Sequence, residues 1–162
     1  MKYDERDWEV IVLKTLIERE LPLLRGVSEE LAAQARPQPG AWTRKQELGH
    51  LIDSASNNHG RFVRAALEGS YTGPTYLPDG WVALHDYQGM AWMEIVDLWY
   101  QYNQLLVRVI GRIPEERLEA ACTVGASAPV SLGFLIDDYV LHMLHHTDHV
   151  LDREPVTPYP RV

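Results

Sequence analysis

Apolar residues recur at helical spacing in four stretches of this chain, and proline- and glycine-rich breaks separate them. The first stretch runs from about Asp4 to Leu24, with Trp8, Ile11, Val12, Thr15, Leu16 and Arg19 in register. Pro22 is expected to kink or end it, because proline removes a donor and clashes one turn back. Ser28 can cap a short second piece, and Pro37-Gln38-Pro39-Gly40 then stops helix. Thr43 and Gln46 stand as a capping box for a long helix to about Leu67, closed by Gly69. Residues 70–85 hold two prolines and two glycines, which predicts a long loop of the kind that often serves as a lid. A third long helix is predicted from Asp86 to about Ile110, with Gly111 and Pro114 at its end. A short turn at Glu115–Leu118 leads into a loop with Cys122, Gly125 and Pro129. A fourth long helix follows from Ser131 to about Asp152, and the three prolines of the tail, 153–162, keep it from being helical throughout. Period-two alternation is absent. The pattern predicts an all-α fold: an antiparallel four-helix bundle forming one domain over 1–162, with the long loop between helices two and three.

Composition narrows the function. Apolar residues at 46% suit a globular core rather than a disordered chain. The 23 acidic against 15 basic side chains give a net charge of −8, a poor surface for nucleic-acid phosphates or an anionic membrane. No apolar run reaches the roughly 18–20 residues of a membrane span, and the first residues lack the apolar core of a secretory leader. The single cysteine, Cys122, cannot pair internally and fits a reducing cytoplasm. The expectation is a soluble cytoplasmic protein acting on a small molecule.

The histidines are the residues that ask for chemistry. His142, His145, His146 and His149 lie within eight residues of the fourth helix. Residues four apart sit one turn apart on one face, so His142 with His146, or His145 with His149, could reach one divalent cation. A third ligand must come from another helix, and the second long helix offers His50 and His59. Plotted at 100° per residue, His142 and His146 share an arc with Leu135, Asp138 and Tyr139, nearly opposite the aliphatic Ile136, Val140 and Leu144. His50 likewise shares its side with Ser54, Asn57 and Arg61, away from Leu48, Leu51, Ala55 and Phe62. Either these faces meet water, or they meet each other across a wet pocket. The wheels do not choose.

Blander accounts suit the other candidates. His59 falls in the aliphatic arc and reads as a hydrogen-bonded core histidine, and His85, in the long loop, is assigned no role. Cys122 reads as an incidental buried thiol, and Trp92 and Trp99 as core packing. Glu47-x-x-His50 matches half of a di-iron carboxylate pattern, but no second Glu-x-x-His exists, so that reading is set aside.

Trp42-Thr43, Glu47 to Ser54 and Asn57 to Val63 resemble the second helix of the DinB-like (DinB/YfiT-type) proteins, bacterial metal-binding four-helix bundles. Gly133 to His146 is similar to that family's last helix. The resemblance implies one divalent transition metal, nickel or zinc, held by His50, His142 and His146, and two polar faces meeting around a cleft. It also implies thiol-dependent S-transferase or isomerase chemistry with a low-molecular-weight thiol such as bacillithiol or mycothiol as cosubstrate.

Three imidazoles leave an open position at which a cation can activate a thiol or water. The leading expectation is therefore attack of a small thiol on a small electrophile. A metal-dependent hydrolase, or a non-catalytic metal-binding dimerisation module, is the alternative. Asp53 and Asp138 stand one turn from His50 and His142 and could orient them, or be plain surface carboxylates. Asn57 and Arg61 continue the His50 stripe and are candidates for binding a substrate or cofactor carboxylate. A homodimer through apolar helix faces is expected.

Overall fold

The structure, a computed structural model, describes residues 5–155 and Tyr159, with side chains from Val10 onward. The expected place of Trp8 in the first helical face, and most of the tail beyond Pro155, lie outside the described residues. Four long helices dominate: α1 (Glu5–Arg25), α3 (Arg44–Glu68), α5 (Trp92–Ile110) and α6 (Leu132–Val150). Two short helices, α2 (Glu29–Ala33) and α4 (Pro78–His85), join three short strands: β1 (Ser70–Gly73), β2 (Ala121–Val124) and β3 (Val130–Ser131).

Local chemistry explains most boundaries. Ser28 Oγ accepts from Leu31 N at the start of α2, and Ser131 Oγ accepts from Phe134 N at the start of α6. Thr43 and Gln46 form the full capping box of α3, and Gly69 ends that helix at φ 83. Pro22 does not stop α1. It sits in the last turn, where the one bond lost is the N–H to Glu18 O, while its carbonyl still accepts from Gly26 N at 3.1 Å.

The segment 70–85 is not the loop that its prolines and glycines predict. It holds β1 and then α4, which begins with Pro78 in its first turn, where a proline is tolerated. The third long helix starts at Trp92, not Asp86, because Asp86 adopts a left-handed φ of 48 and Tyr87–Gly89 forms a 3-10 turn. The strands have two to four residues each, too few to print an alternating pattern.

The bundle is assembled by α3 packing on α5 and α6, and α1 packing on the same two helices. Contacts along the helices give their directions. Glu47 meets His146 and His149 while Ser54 meets His142, so α3 and α6 are antiparallel. Leu24 meets Trp92 and Val10 lies beside Gly111, so α1 and α5 are antiparallel too. Thr43 meets Gln88 and His59 meets Tyr102, so α3 and α5 run the same way. The 70–91 segment makes this possible by carrying the chain back to the starting end. The strands record the same topology: β1 follows α3, β2 follows α5, and the two pair in parallel, with β3 antiparallel on β2. Trp92, Trp99 and Cys122 are buried in the core, as their sequence context implies. No helix among the described residues is long and apolar enough to cross a membrane.

Candidate metal centre

The polar faces of α3 and α6 turn toward each other, not toward water. His50 is only 4% exposed, although it lies on the polar side of its helix. Its Nε2 is 3.1 Å from His142 Nε2, and the His50, His142 and His146 rings are 4.5–5.0 Å apart, centroid to centroid. One ring nitrogen of each lies within 4.8 Å of those of the other two. Trp42, just ahead of the capping box, covers the cluster, its ring 4.7 Å from His50 and 6.5 Å from His146.

The outer nitrogens of two of the rings have partners. His142 Nδ1 lies 3.3 Å from Ser54 Oγ, and His146 Nδ1 lies 2.9 Å from Glu47 Oε1. Glu47 Oε1 is also 3.1 Å from His149 Nδ1. His50 Nδ1 is buried and has no partner among the described residues. Burial, and secondarily the neighbouring His146, pushes the His50 pKa down to about 4. Burial, followed by His146 and His50, pushes His142 down to about 2. Both rings are therefore neutral at pH 7, the state a metal ligand requires.

A divalent transition metal fits this donor set. Two nitrogens each about 2.0–2.1 Å from one tetrahedral ion stand about 3.4 Å apart, close to the observed Nε2–Nε2 separation. Two lone pairs facing each other at that distance are poorly matched unless a proton or a cation lies between them. The rings of the alternative pair, His145 and His149, meet edge to face at 4.3 Å, and His145 Nδ1 is buried with no partner among the described residues.

Several neighbours take positions the sequence did not announce. Asp53 is 1% exposed and accepts from Tyr87 Oη at 2.7 Å and His85 Nδ1 at 2.8 Å, so it is engaged away from His50. His85 thus has a structural partner where none was expected. Burial raises the Asp53 pKa, and the bonds from Tyr87 and His85 oppose that rise. Gly49 permits the arrangement, because any Cβ there would overlap the Tyr87 ring. Asp138 lies 3.5 Å from Tyr159 Oη. Asn57 donates to its own helix at Asp53 O, at 2.9 Å. Arg61, 8% exposed, reaches Asn58 Oδ1 at 3.4 Å and Pro74 O at 3.5 Å. His59 is half-buried and hydrogen-bonded to Tyr102 at 3.0 Å. Glu47 is the neighbour that reasoning from the sequence missed. Its signal was the three-residue spacing to His50, which places both on one face of α3.

The sequence model of the DinB superfamily matches residues 13–150. The chain belongs to this superfamily. A Bacillus cereus protein named "Putative metal-dependent hydrolase" is 28% identical over 111 residues, 68% of this chain and 64% of that relative. A Bacillus anthracis protein of the same name matches with the same identity and coverage. The chain thus spans less than two thirds of the length of these relatives. Among solved structures, YfiT from Bacillus subtilis superposes with a TM-score of 0.82 at 18% identity, covering 94% of this chain and 87% of that one. It is described as "a probable metal-dependent hydrolase with an unusual four-helix bundle topology". A mycothiol-dependent maleylpyruvate isomerase, solved as a histidine-to-alanine mutant, superposes with a TM-score of 0.73 at 12% identity, covering 94% of this chain and 62% of the other. At these identities the superpositions establish the DinB fold. The DinB bundle is the arrangement that brings α3 and α6 face to face.

Proposed function

We propose that this chain is a metal-dependent enzyme in which His50, His142 and His146 hold one divalent transition-metal ion, nickel or zinc, and a small nucleophile is activated beside them. The observation that carries the reading is the convergence of three imidazoles from two helices, two of them held neutral by burial. A divalent ion bound by three histidines retains an open position and lowers the pKa of water or a thiol placed there. The chain's own residues do the rest. Trp42 packs its ring over one side of the cluster, and Arg61, a buried cation on the same face of α3 as His50, is the candidate for an anionic group of the substrate.

Water is the nucleophile favoured by the relatives at 28% identity, both named as metal-dependent hydrolases. A small thiol is the second reading, favoured by the shared fold with a mycothiol-dependent isomerase. Cys122 is buried in the core, so such a thiol would arrive as a cosubstrate. Its sulfur would bond to an electrophilic carbon, the leaving group would depart with the bonding pair, and the thiol proton would pass to solvent.

Elemental analysis of the purified protein should find about one transition metal per chain, lost in His142→Ala. Turnover of an ester or amide panel, abolished in His146→Ala, supports hydrolysis. Turnover of a chlorinated nitrobenzene only when a low-molecular-weight thiol is added supports transfer. A loaded protein inactive in both assays would be a binding module and would overturn the enzymatic reading.

A further inference from the structure

We propose that Glu47 is the positioning residue of this centre: it fixes His146 with Nε2 aimed at His50 and His142, and His149 is the second donor that holds Glu47 in place. The inference rests on the metal-centre reading above. It concerns what orients a ligand rather than what binds the ion.

Glu47 lies in the first turn of α3, three residues before His50, and is 7% exposed. Its Oε1 is within hydrogen-bond distance of His146 Nδ1 at 2.9 Å and His149 Nδ1 at 3.1 Å. A carboxylate oxygen accepts and does not donate, so both contacts place the hydrogen on Nδ1. A ring that carries its hydrogen on Nδ1 alone has its lone pair on Nε2. For His146, one ring nitrogen lies within 4.8 Å of a nitrogen of His50 and of His142, and with Nδ1 held by Glu47 the nitrogen left for the ion is Nε2. Ser54 Oγ lies 3.3 Å from His142 Nδ1 on the other side, where a hydroxyl is able to accept and play the same part.

The spacing on the two helices explains why one carboxylate meets two histidines. Glu47 and His50 are three apart on α3, and His146 and His149 are three apart on α6, so each pair lies on one helical face. Because the helices are antiparallel, His50 falls opposite His142 and His146, and Glu47 falls opposite His146 and His149. His149 is outside the ligand triad, and its side chain is 45% exposed. The other carboxylate oxygen of Glu47 is 4.0 Å from Arg36. Beyond this group lies a cleft of about 380 Å³, lined by Arg36, Trp42, Glu47 and His149 among others, so Glu47 stands as the wall between cleft and triad.

Glu47, His146 and His149 also bring their ligand atoms within 4.8 Å of one another. A second ion there would need His146 Nδ1 as a ligand, without its hydrogen, while Nε2 served the first. The outer-partner role needs no such bridging ring.

The test is metal affinity, measured by zinc competition with a chromophoric chelator, and the visible spectrum of the cobalt-loaded protein. Loss of an outer partner should weaken zinc binding by about 10–100-fold in Glu47→Ala and shift the cobalt bands. Glu47→Gln, which keeps an accepting oxygen and guards against a folding defect, should recover part of that loss. His149→Ala should show a smaller loss. Arg36→Met, which removes the ion pairs to Glu47 and Asp152 and the bond to the His149 backbone carbonyl but touches no imidazole, should bind zinc as the wild type does. Wild-type affinity in Glu47→Ala overturns the proposal, as does a second zinc equivalent in the wild type that Glu47→Ala loses. A wild-type protein that binds no ion would instead overturn the metal-centre reading itself.

Discussion

Burying neutral histidines makes the metal-free fold acid-sensitive in a defined window. His50 titrates at its ordinary value of 6.5 when the chain is unfolded and near 4 in the folded protein. As pH falls below 6.5 the unfolded chain takes up a proton on His50 that the folded chain refuses. The stability associated with this ring is therefore full above pH 6.5 and is lost as pH falls toward 4. Each pH step is worth about 1.4 kcal/mol, so His50 alone removes about 3 kcal/mol by the acid end of the window. His142, held lower still, adds to the loss over the same interval. Urea unfolding of chelator-treated protein at several pH values would measure this, with His50→Gln as the reference. Carboxylates titrate in both proteins, so the difference between the two curves reports the ring together with its effect on His142. The variant should lose about 3 kcal/mol less than the wild type between pH 6.5 and 4. Parallel curves would refute the claim that the folded cluster excludes protons.

Zinc or nickel added to the chelator-treated protein at about 100 times Kd should stabilise it by about 2.7 kcal/mol, a Tm rise of several degrees that His142→Ala abolishes. Gly49→Ala places a Cβ against the buried Tyr87 ring; helix preference returns up to about 1 kcal/mol, but overpacking costs about 1–3 and disturbs the Tyr87–Asp53 bond, so urea midpoints should fall. Thr43→Ala removes half of the α3 capping box and should cost about 1 kcal/mol by the same assay.

Much of this fold was legible in the sequence because helix ends are decided locally. Thr43, Gln46, Gly69 and Ser131 mark their boundaries through hydrogen bonds and φ preferences spanning a few residues. The strands were not legible, because β1 pairs with β2 far along the chain, a contact that depends on how α3 and α5 pack side by side. Asp86 hid in the same way: a left-handed aspartate carries no compositional mark, so periodicity places the start of the third long helix at Asp86 instead of Trp92.

The centre divides along the same line. Helical spacing alone put His142 and His146 on one face and His50 on the polar side of another, and no tertiary knowledge was needed for that. The antiparallel pairing of α3 with α6 decided that these faces meet each other in a largely buried cluster, that His145 and His149 stay outside the triad, and that Glu47, not Asp53, reaches the rings. The physical reason is that periodicity fixes direction around one helix axis, whereas burial, protonation and hydrogen-bond partners depend on which axis lies across from it.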